Sequence, residues 1–469
     1  MLLAVLVLTA SAWLRGAEYD EQYTLFLTAG IARPDWPETL VAAGTISTLQ
    51  SGHPTLAGIA HDLRTTDVHP PLYFWALSLW RNVFGPSLFA ARLISVVCGV
   101  VSLCLVGIIA RFFAIPSTTS MLLTLGCYGF VYTNAIARGF APALMLLLCG
   151  ITLQIARRPL LAGVCLGAAC CCNYLALFVT VAVIAVGSTW IATLTVIPFL
   201  ALDAWFFAAQ HAGRTGQFPP FQIAPGLFRL VQYQTGAVFG GLPIYVDGLL
   251  RNVFAALIGA LAVGLVFCFA RARPFAAGPG IRLILGAAIA TPIGLLLLGA
   301  IFDNTPIELR YLSFGLPFIA LLLAWTWRPV HGQKTSALPA CVFAIQIASI
   351  TGLLCSPRTM QPARATAIAA ASLTDDEVVL LPRGNDGVGI VGAFGVEASR
   401  SQPLLIIAPN DQIADRIAPF RRVAVAMLAQ DKESTATIAM LHAALVPPRW
   451  RLVTSGSHLE VYERSDDGE

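Results

Sequence analysis

Charge is what this sequence has least of. Only 12% of its 469 residues are Asp, Glu, Lys or Arg, where a soluble domain typically holds about a quarter. Lysine is nearly missing, with Lys334 and Lys432 the only two among 29 basic residues, a preference that points to a GC-rich bacterial genome. The net charge of +4 is spread along the chain, which leaves no case for nucleic acid as a partner. The 11 cysteines fall almost entirely inside apolar runs, Cys170, Cys171 and Cys172 in a row, and none follows Cys355. That distribution argues against a disulfide framework, and no CxxC pair has metal-ligand spacing. The thiols are read as small buried hydrophobes. The polar tail has no Walker-type loop and the chain no HxxxH or HExxH, so neither a nucleotide domain nor a helix-borne metal site is expected.

What is present is apolar sequence: 57% of the residues are hydrophobic and the mean hydropathy is +0.75. One membrane span needs roughly 20 apolar residues, and runs of that kind lie at 1–14, 86–110, 117–134, 140–156, 159–207, 249–270, 281–301, 310–327 and 337–354. Ala10-Ser11-Ala12 resembles a signal-peptidase site, but no basic stretch precedes it and Trp13-Leu14 continues the run, so an uncleaved first helix is expected. The run 159–207 is too long for one span and is expected to hold three. Arg111, Arg157-Arg158, Arg271 and Arg273 with Arg282, and Arg328 with Lys334 mark cytoplasmic turns under the positive-inside rule. They fit one arrangement of about eleven transmembrane helices. The N-terminus is inside, while loops 15–85, 135–139, 208–248 and 302–309 and the C-terminus are outside.

Two segments are polar enough to be aqueous. The first is the loop 15–85, in which Gln22–Ile31, Glu38–Gln50 and 72–84 are expected to form short interfacial helices. The second is the tail 356–469. Strands are expected at 377–381, 404–408, 422–428, 450–454 and 458–463, with helices at 410–420 and 433–445, giving a small α/β domain. The chain therefore reads as a polytopic α-helical membrane domain over 1–355 followed by a soluble α/β domain over 356–469.

Chemistry-bearing residues gather in the first loop. Glu18-Tyr19-Asp20-Glu21 places adjacent carboxylates just after the first helix. They can simply favour a helix N-terminus, or Asp20 can take a proton from a hydroxyl while Glu21 orients a neighbour. Asp67-Val68-His69-Pro70-Pro71-Leu72 ends the same loop. Its prolines stiffen the chain and can open a helix, holding Asp67 and His69 in place. Arg138 and Arg310 fall at expected outer helix ends, and Arg is a good bidentate phosphate partner, although snorkelling at the interface is the plainer use of such residues. Arg92 lies deep in its run, where a charge calls for a partner such as a loop-one carboxylate. Asp203 lies near the outer end of an otherwise uncharged run. In 208–248, His211, Arg214, Arg229 and Tyr233 are more simply a solvated polar loop than a contact set.

The acidic pair after the first helix, DVHPPLYFW, then FGPSLFAARLISVVCG with Arg92-Leu93, NAIARGFAPALMLLL and ELRYLSFGLPFIALLLAW together resemble the GT-C glycosyltransferases. Within these the chain is similar to the protein O-mannosyltransferase and aminoarabinose-transferase (dolichyl-phosphate-mannose–protein mannosyltransferase-like) family. The likeness runs from residue 1 to about 330, and it departs from the family where Gly139-Phe140 stands in place of a Tyr. The tail is not diagnostic. The resemblance implies a GT-C membrane fold and transfer of a sugar from a polyprenyl-phosphate donor, usually with inversion, to a lipid, glycan or protein hydroxyl on the extracytoplasmic face of a bacterial inner membrane. Asp20 matches the family's general base. Glu21, Asp67, His69 and Tyr19 would shape the acceptor side, and Arg138, Arg310, Arg92 and Tyr311 the donor phosphate, whose departure needs fixed cations. No cofactor is required, though Asp20 and Glu21 are the residues to hold a divalent cation if one is used. The rival reading is a transporter or flippase of lipid-linked glycans. Against it, the sequence shows no pair of corresponding halves and few polar residues near mid-span.

Overall fold

The computed structural model describes residues 1–187, 189–210, 218–272, 278–328, 338–356, 362–374 and 377–465. His211, Arg214, Arg273 and Lys334 lie outside the described residues. The chain divides into two compact units. The first comprises residues 1–14, 63–76 and 92–356, and the second residues 15–62, 77–91 and 357–469. Most of the first loop thus clusters with the tail rather than with the apolar helices that flank it in sequence.

The first unit is helical. Among the described residues, six helices are long and apolar enough to cross a membrane: Leu88–Phe112, Trp190–Gln210, Gly248–Arg271, Pro279–Phe302, Leu309–Thr326 and Leu338–Cys355. A seventh candidate pairs Leu2–Leu14 with Tyr19–Leu27, and Phe140–Ile155, Pro159–Cys172 and Ala176–Gly187 are shorter apolar helices. This is the make-up of a multi-pass membrane protein. The expected eleven spans would need the shorter helices as well, which fall below the roughly 20 residues of a full crossing.

The run 159–207 divides into three helices, Pro159–Cys172, Ala176–Gly187 and Trp190–Gln210. The first packs on the third through glycines four residues apart, the small-residue spacing that lets helices approach closely in lipid. A Cβ on Gly163 would sit 1.7 Å from Thr195 Oγ1, and one on Gly167 would sit 2.5 Å from Phe199 Cδ2. The segment expected at 117–134 breaks at Cys127 into Ser117–Gly126 and Tyr128–Thr133. Buried Gln346 reaches the break, its Oε1 2.3 Å from where a Cβ on Gly126 would stand, and its Nε2 donates to Val238 O at 3.1 Å. The expected loop 208–248 contains a helix, Ile223–Phe239, which ends at Gly240 with φ 83°. Its Arg229, Gln232 and Gln234 make it too polar to read as a span.

The second unit is built on a six-stranded sheet in the order β1-β3-β2-β4-β6-β5. Its strands are β1 (Val41–Ala42), β2 (Glu377–Pro382), β3 (Pro403–Ile407), β4 (Arg422–Ala426), β5 (Trp450–Ser455) and β6 (Leu459–Arg464). β2 lies between β3 and β4 and is parallel to both. Every residue of β2 is buried, so it reads as an unbroken apolar run, as a strand covered on both faces does. Alternate side chains serve two cores. Val379, Leu381, Leu404 and Ile406 join Phe26, Ile46 and Phe394, while Val378, Leu380, Leu405 and Val423 join Ile417, Leu441 and Trp450.

The five tail strands and the helix Lys432–Ala444 fall where the sequence places them. The helix expected at 410–420 shrinks to Ala414–Ile417, and Pro362–Ala370 and Gly389–Glu397 are additional. The edge strand β1 comes from the first loop, pairing Val41 with Leu404. Buried Arg81 fastens that loop further, donating to Leu25 O at 3.0 Å, to Thr28 Oγ1 at 2.5 Å and to Gln50 O.

Candidate active site

In the first unit, the turn after helix Leu56–Thr66 delivers Asp67 and His69, and Pro70-Pro71 leads into Leu72–Phe84. Gln210 holds this turn, its Nε2 donating to Leu63 O at 2.9 Å and to His69 O at 2.8 Å, while its Oε1 accepts from Tyr174 OH at 3.0 Å. Arg138 Nη2 lies 2.7 Å from His69 Nε2. A guanidinium has no acceptor, so Nε2 must accept, and the ring proton belongs on Nδ1, 2.5 Å from Asp67 Oδ1. The imidazole is thereby held in one tautomer between a carboxylate and a cation. Burial works against the charge on Asp67. The His69 N–H, the Arg138 charge and the Val68 N–H outweigh it and hold the carboxyl well below the usual carboxylate range.

A cavity of about 580 Å³ opens beside this relay. His69, Arg138 and Arg310 face it together with Asn173, Tyr174, Asp303 and Asn304, and Phe140, Phe207, Phe218, Leu298 and Phe302 give it an apolar wall. Arg310 pairs with Glu308 at 2.6 Å and lies 5.5 Å from the centre of the Tyr311 ring. Burial raises the Glu308 carboxyl, and the charge of Arg138 opposes the shift. Phe140 stacks on Tyr311 with ring centres 6.2 Å apart, so the residue in the family's Tyr position still supplies an aromatic face. Two guanidiniums and an aromatic wall suit an amphiphile with an anionic head, and the Asp303 carboxylate accepts the Phe221 N–H at 3.2 Å.

His69, Arg138, Arg310 and Tyr311 therefore meet at one cavity, with Asp67 behind His69. Arg92 is not among the lining residues. It is 2% exposed and its Nη1 donates to Ala12 O at 2.9 Å. Asp203 is buried in helix Trp190–Gln210 and does not line the cavity either. Asn173, Tyr174, Asp303, Asn304, Gln210 and Glu308 carry little signal in the sequence, apart from the polar pair Asn173-Tyr174 that interrupts an apolar run.

Tyr19, Asp20 and Glu21 belong to the second unit, in the first turn of helix Tyr19–Leu27. Glu21 is fully buried, and its carboxylate accepts the N–H of Glu18 at 3.0 Å, closing that turn. Glu18 in turn pairs with Arg15. Asp20 is the half-buried carboxylate of the pair. Among the described residues no group of three or more His, Cys, Asp or Glu side chains is arranged to hold a metal.

The family model described as dolichyl-phosphate-mannose-protein mannosyltransferase matches residues 68–234, a stretch that holds His69, Arg92 and Arg138 and stops short of Arg310. Nothing among curated protein sequences matches the chain. Of solved structures, ArnT from Cupriavidus metallidurans bound to undecaprenyl phosphate is similar over 99% of this chain and 97% of that one, with a TM-score of 0.53 and 12% identity. The same protein in its apo state covers 98% and 96%, with a TM-score of 0.52 and 12% identity. The fold is that of ArnT, and the stretch 68–234 is similar to the protein O-mannosyltransferases.

Proposed function

We propose that this chain is a membrane glycosyltransferase that moves a sugar from a polyprenyl-phosphate-linked donor to a hydroxyl of a lipid, glycan or protein acceptor on the extracytoplasmic face. The observation that carries the reading is the pairing of Arg138 and Arg310 at one aromatic-walled cavity. It is supported by the fold shared with an enzyme whose structure holds undecaprenyl phosphate. In the reaction, Asp20 takes the proton of the acceptor hydroxyl as its oxygen attacks the anomeric carbon with inversion. The bond from that carbon to the phosphate oxygen breaks, and polyprenyl phosphate leaves with the electron pair. Arg138 and Arg310 face the negative charge that develops on the phosphate, and fixed donors are worth most where charge appears. His69, kept in one tautomer, holds Arg138 in orientation, and the Asp67 carboxylate fixes His69.

Binding of undecaprenyl phosphate to the purified protein tests the cavity. Arg138→Ala removes charge-assisted hydrogen bonds worth about 1.5–3 kcal/mol, so Kd should rise about 10- to 100-fold. Arg310→Ala should do the same. Wild-type affinity in both variants would contradict the assignment.

A further inference from the structure

The second unit has the layout of an open α/β sheet at its centre. β2 runs parallel to β3 on one side and to β4 on the other. In such sheets the crevice beyond the carboxyl ends of the strands, where the strand order reverses, is the usual ligand site. The loop leaving β2, Pro382 to Gly389, is glycine-rich, with positive φ at Gly384 (74°) and Gly387 (69°). The crevice is filled by the chain's own first loop. Trp36 Nε1 donates to Gly387 O at 2.6 Å, Tyr23 OH donates to Asp386 Oδ2 at 2.6 Å, and Arg33 Nη1 lies 2.9 Å from the same oxygen. Tyr19 OH approaches Asp431 Oδ2 at 3.5 Å, and Asp431 also accepts the N–H of Asn385. Beside Tyr19 and Gly389 a gap of only about 10 Å³ remains, room for one water at most.

The helix that follows, Gly389–Glu397, presents a row of glycines at every third position to the same loop. A Cβ on Gly389 would lie 2.2 Å from Tyr19 Cε2. One on Gly392 would lie 2.9 Å from both Gln22 Cβ and Phe26 Cε2, and one on Gly395 would lie 2.6 Å from Ile46 Cδ1. Tyr19, Gln22, Tyr23 and Phe26 form one face of helix Tyr19–Leu27, and Asp20 stands about 100° round from Tyr19 on the same turn. Asp20 therefore borders the face that docks, next to Tyr23.

We propose that this glycine row and the Asp386 hub are a seat that fixes the position of Asp20, making Gly392 and Asp386 positioning residues of the transfer reaction and the tail a part of the catalytic apparatus. The inference rests on the reading of Asp20 as the base. A carboxylate displaced by about 1 Å can lose about 10²-fold in rate, and the methyl of Gly392→Ala displaces the helix through atoms close to its backbone.

The test is steady-state transfer by the full-length enzyme in detergent, with kcat taken per folded molecule. Gly392→Ala and Asp386→Ala should each lower kcat about 10- to 100-fold while leaving the donor KM unchanged. Asp386→Asn, which keeps an oxygen for Tyr23, should recover most of the loss. Phe26→Leu should restore part of the kcat lost in Gly392→Ala by clearing one of its two close contacts. Reduced yield of folded protein with wild-type kcat would make the contacts merely structural and overturn the proposal. If Gly392→Ala does not fold, the Asp386 pair decides alone. Loss of transfer in Asp20→Asn with unchanged kcat in the seat variants would overturn this inference and leave the function standing. Full transfer by Asp20→Asn would overturn both.

Discussion

At the residue scale the cavity is organised by one chain of contacts, Asp67 to His69 to Arg138. The sequence made Asp67 and His69 visible, because Pro70-Pro71 promised a stiff turn. It also made Arg138 and Arg310 visible as cations at helix ends. The turn that carries Asp67 and His69 is held by Gln210, which nothing local marks as special, since its two carbonyl partners come from a distant turn. The Asp67 carboxyl is held below its ordinary value of 3.8. Its contribution to stability is therefore present above that value and disappears only as pH falls through the lower folded-state value. Asp67→Asn should accordingly lower the thermal midpoint by the same amount throughout about pH 5 to 8, with the gap closing only in stronger acid. A gap that narrows between about pH 7 and 5 would contradict the ionised assignment. Glu308 has the opposite sign. Its carboxyl is raised above 4.5, so the stability it adds is fully present below that value and is lost as pH rises through the folded-state value. Glu308→Gln should therefore be least destabilising, or stabilising, toward neutral pH, as melting curves across the range would show.

At the scale of elements, periodicity and run length located most helices, and the division of 159–207 into three was legible from its length and the arginines around it. The helix Gly389–Glu397 was not, because its three glycines give it poor intrinsic propensity. It forms because those glycines admit the first loop to its backbone, a tertiary fact. Ile223–Phe239 is hidden for another reason: it is too polar for a span, and its pattern matches a loop. Helix packing in the first unit gives a direct prediction. Gly163→Leu would overpack the contact with Ala192 and Thr195 and should cost about 1–3 kcal/mol, seen as a lower melting midpoint in detergent. Gly264→Leu, on a helix where a Cβ meets nothing within 4 Å, should leave the midpoint unchanged.

At the scale of the whole molecule, the second unit is assembled from residues 15–62, 77–91 and 357–469. A sheet in which Val41 pairs with Leu404 cannot be divided by a bilayer, so the first loop and the tail lie on one side. Between residues 92 and 356 the chain must then cross the membrane an even number of times. The six long helices among the described residues satisfy this. If the three shorter apolar helices also cross, the broken segment Ser117–Gly126 and Tyr128–Thr133 must cross with them to keep the number even, which gives the ten crossings that follow the first helix in the arrangement read from the arginines. In a variant stripped of its native cysteines, single cysteines placed at exposed Leu40 and exposed Leu452 should react alike with an impermeant maleimide applied from outside intact cells. Labelling of one and not the other would contradict the shared side.

The central claim is sugar transfer with Asp20 as the base, and the most direct measurement is transfer from radiolabelled polyprenyl-phosphate sugars in membranes lacking the native enzyme. Wild-type protein should transfer label to an acceptor, and Asp20→Asn, folded and normally expressed, should lose about 10²–10⁴-fold in rate, the span of a positioned general base. Equal transfer by both would remove Asp20 from the mechanism. Translocation of the carrier in liposomes without transfer from any donor would contradict the account as a whole.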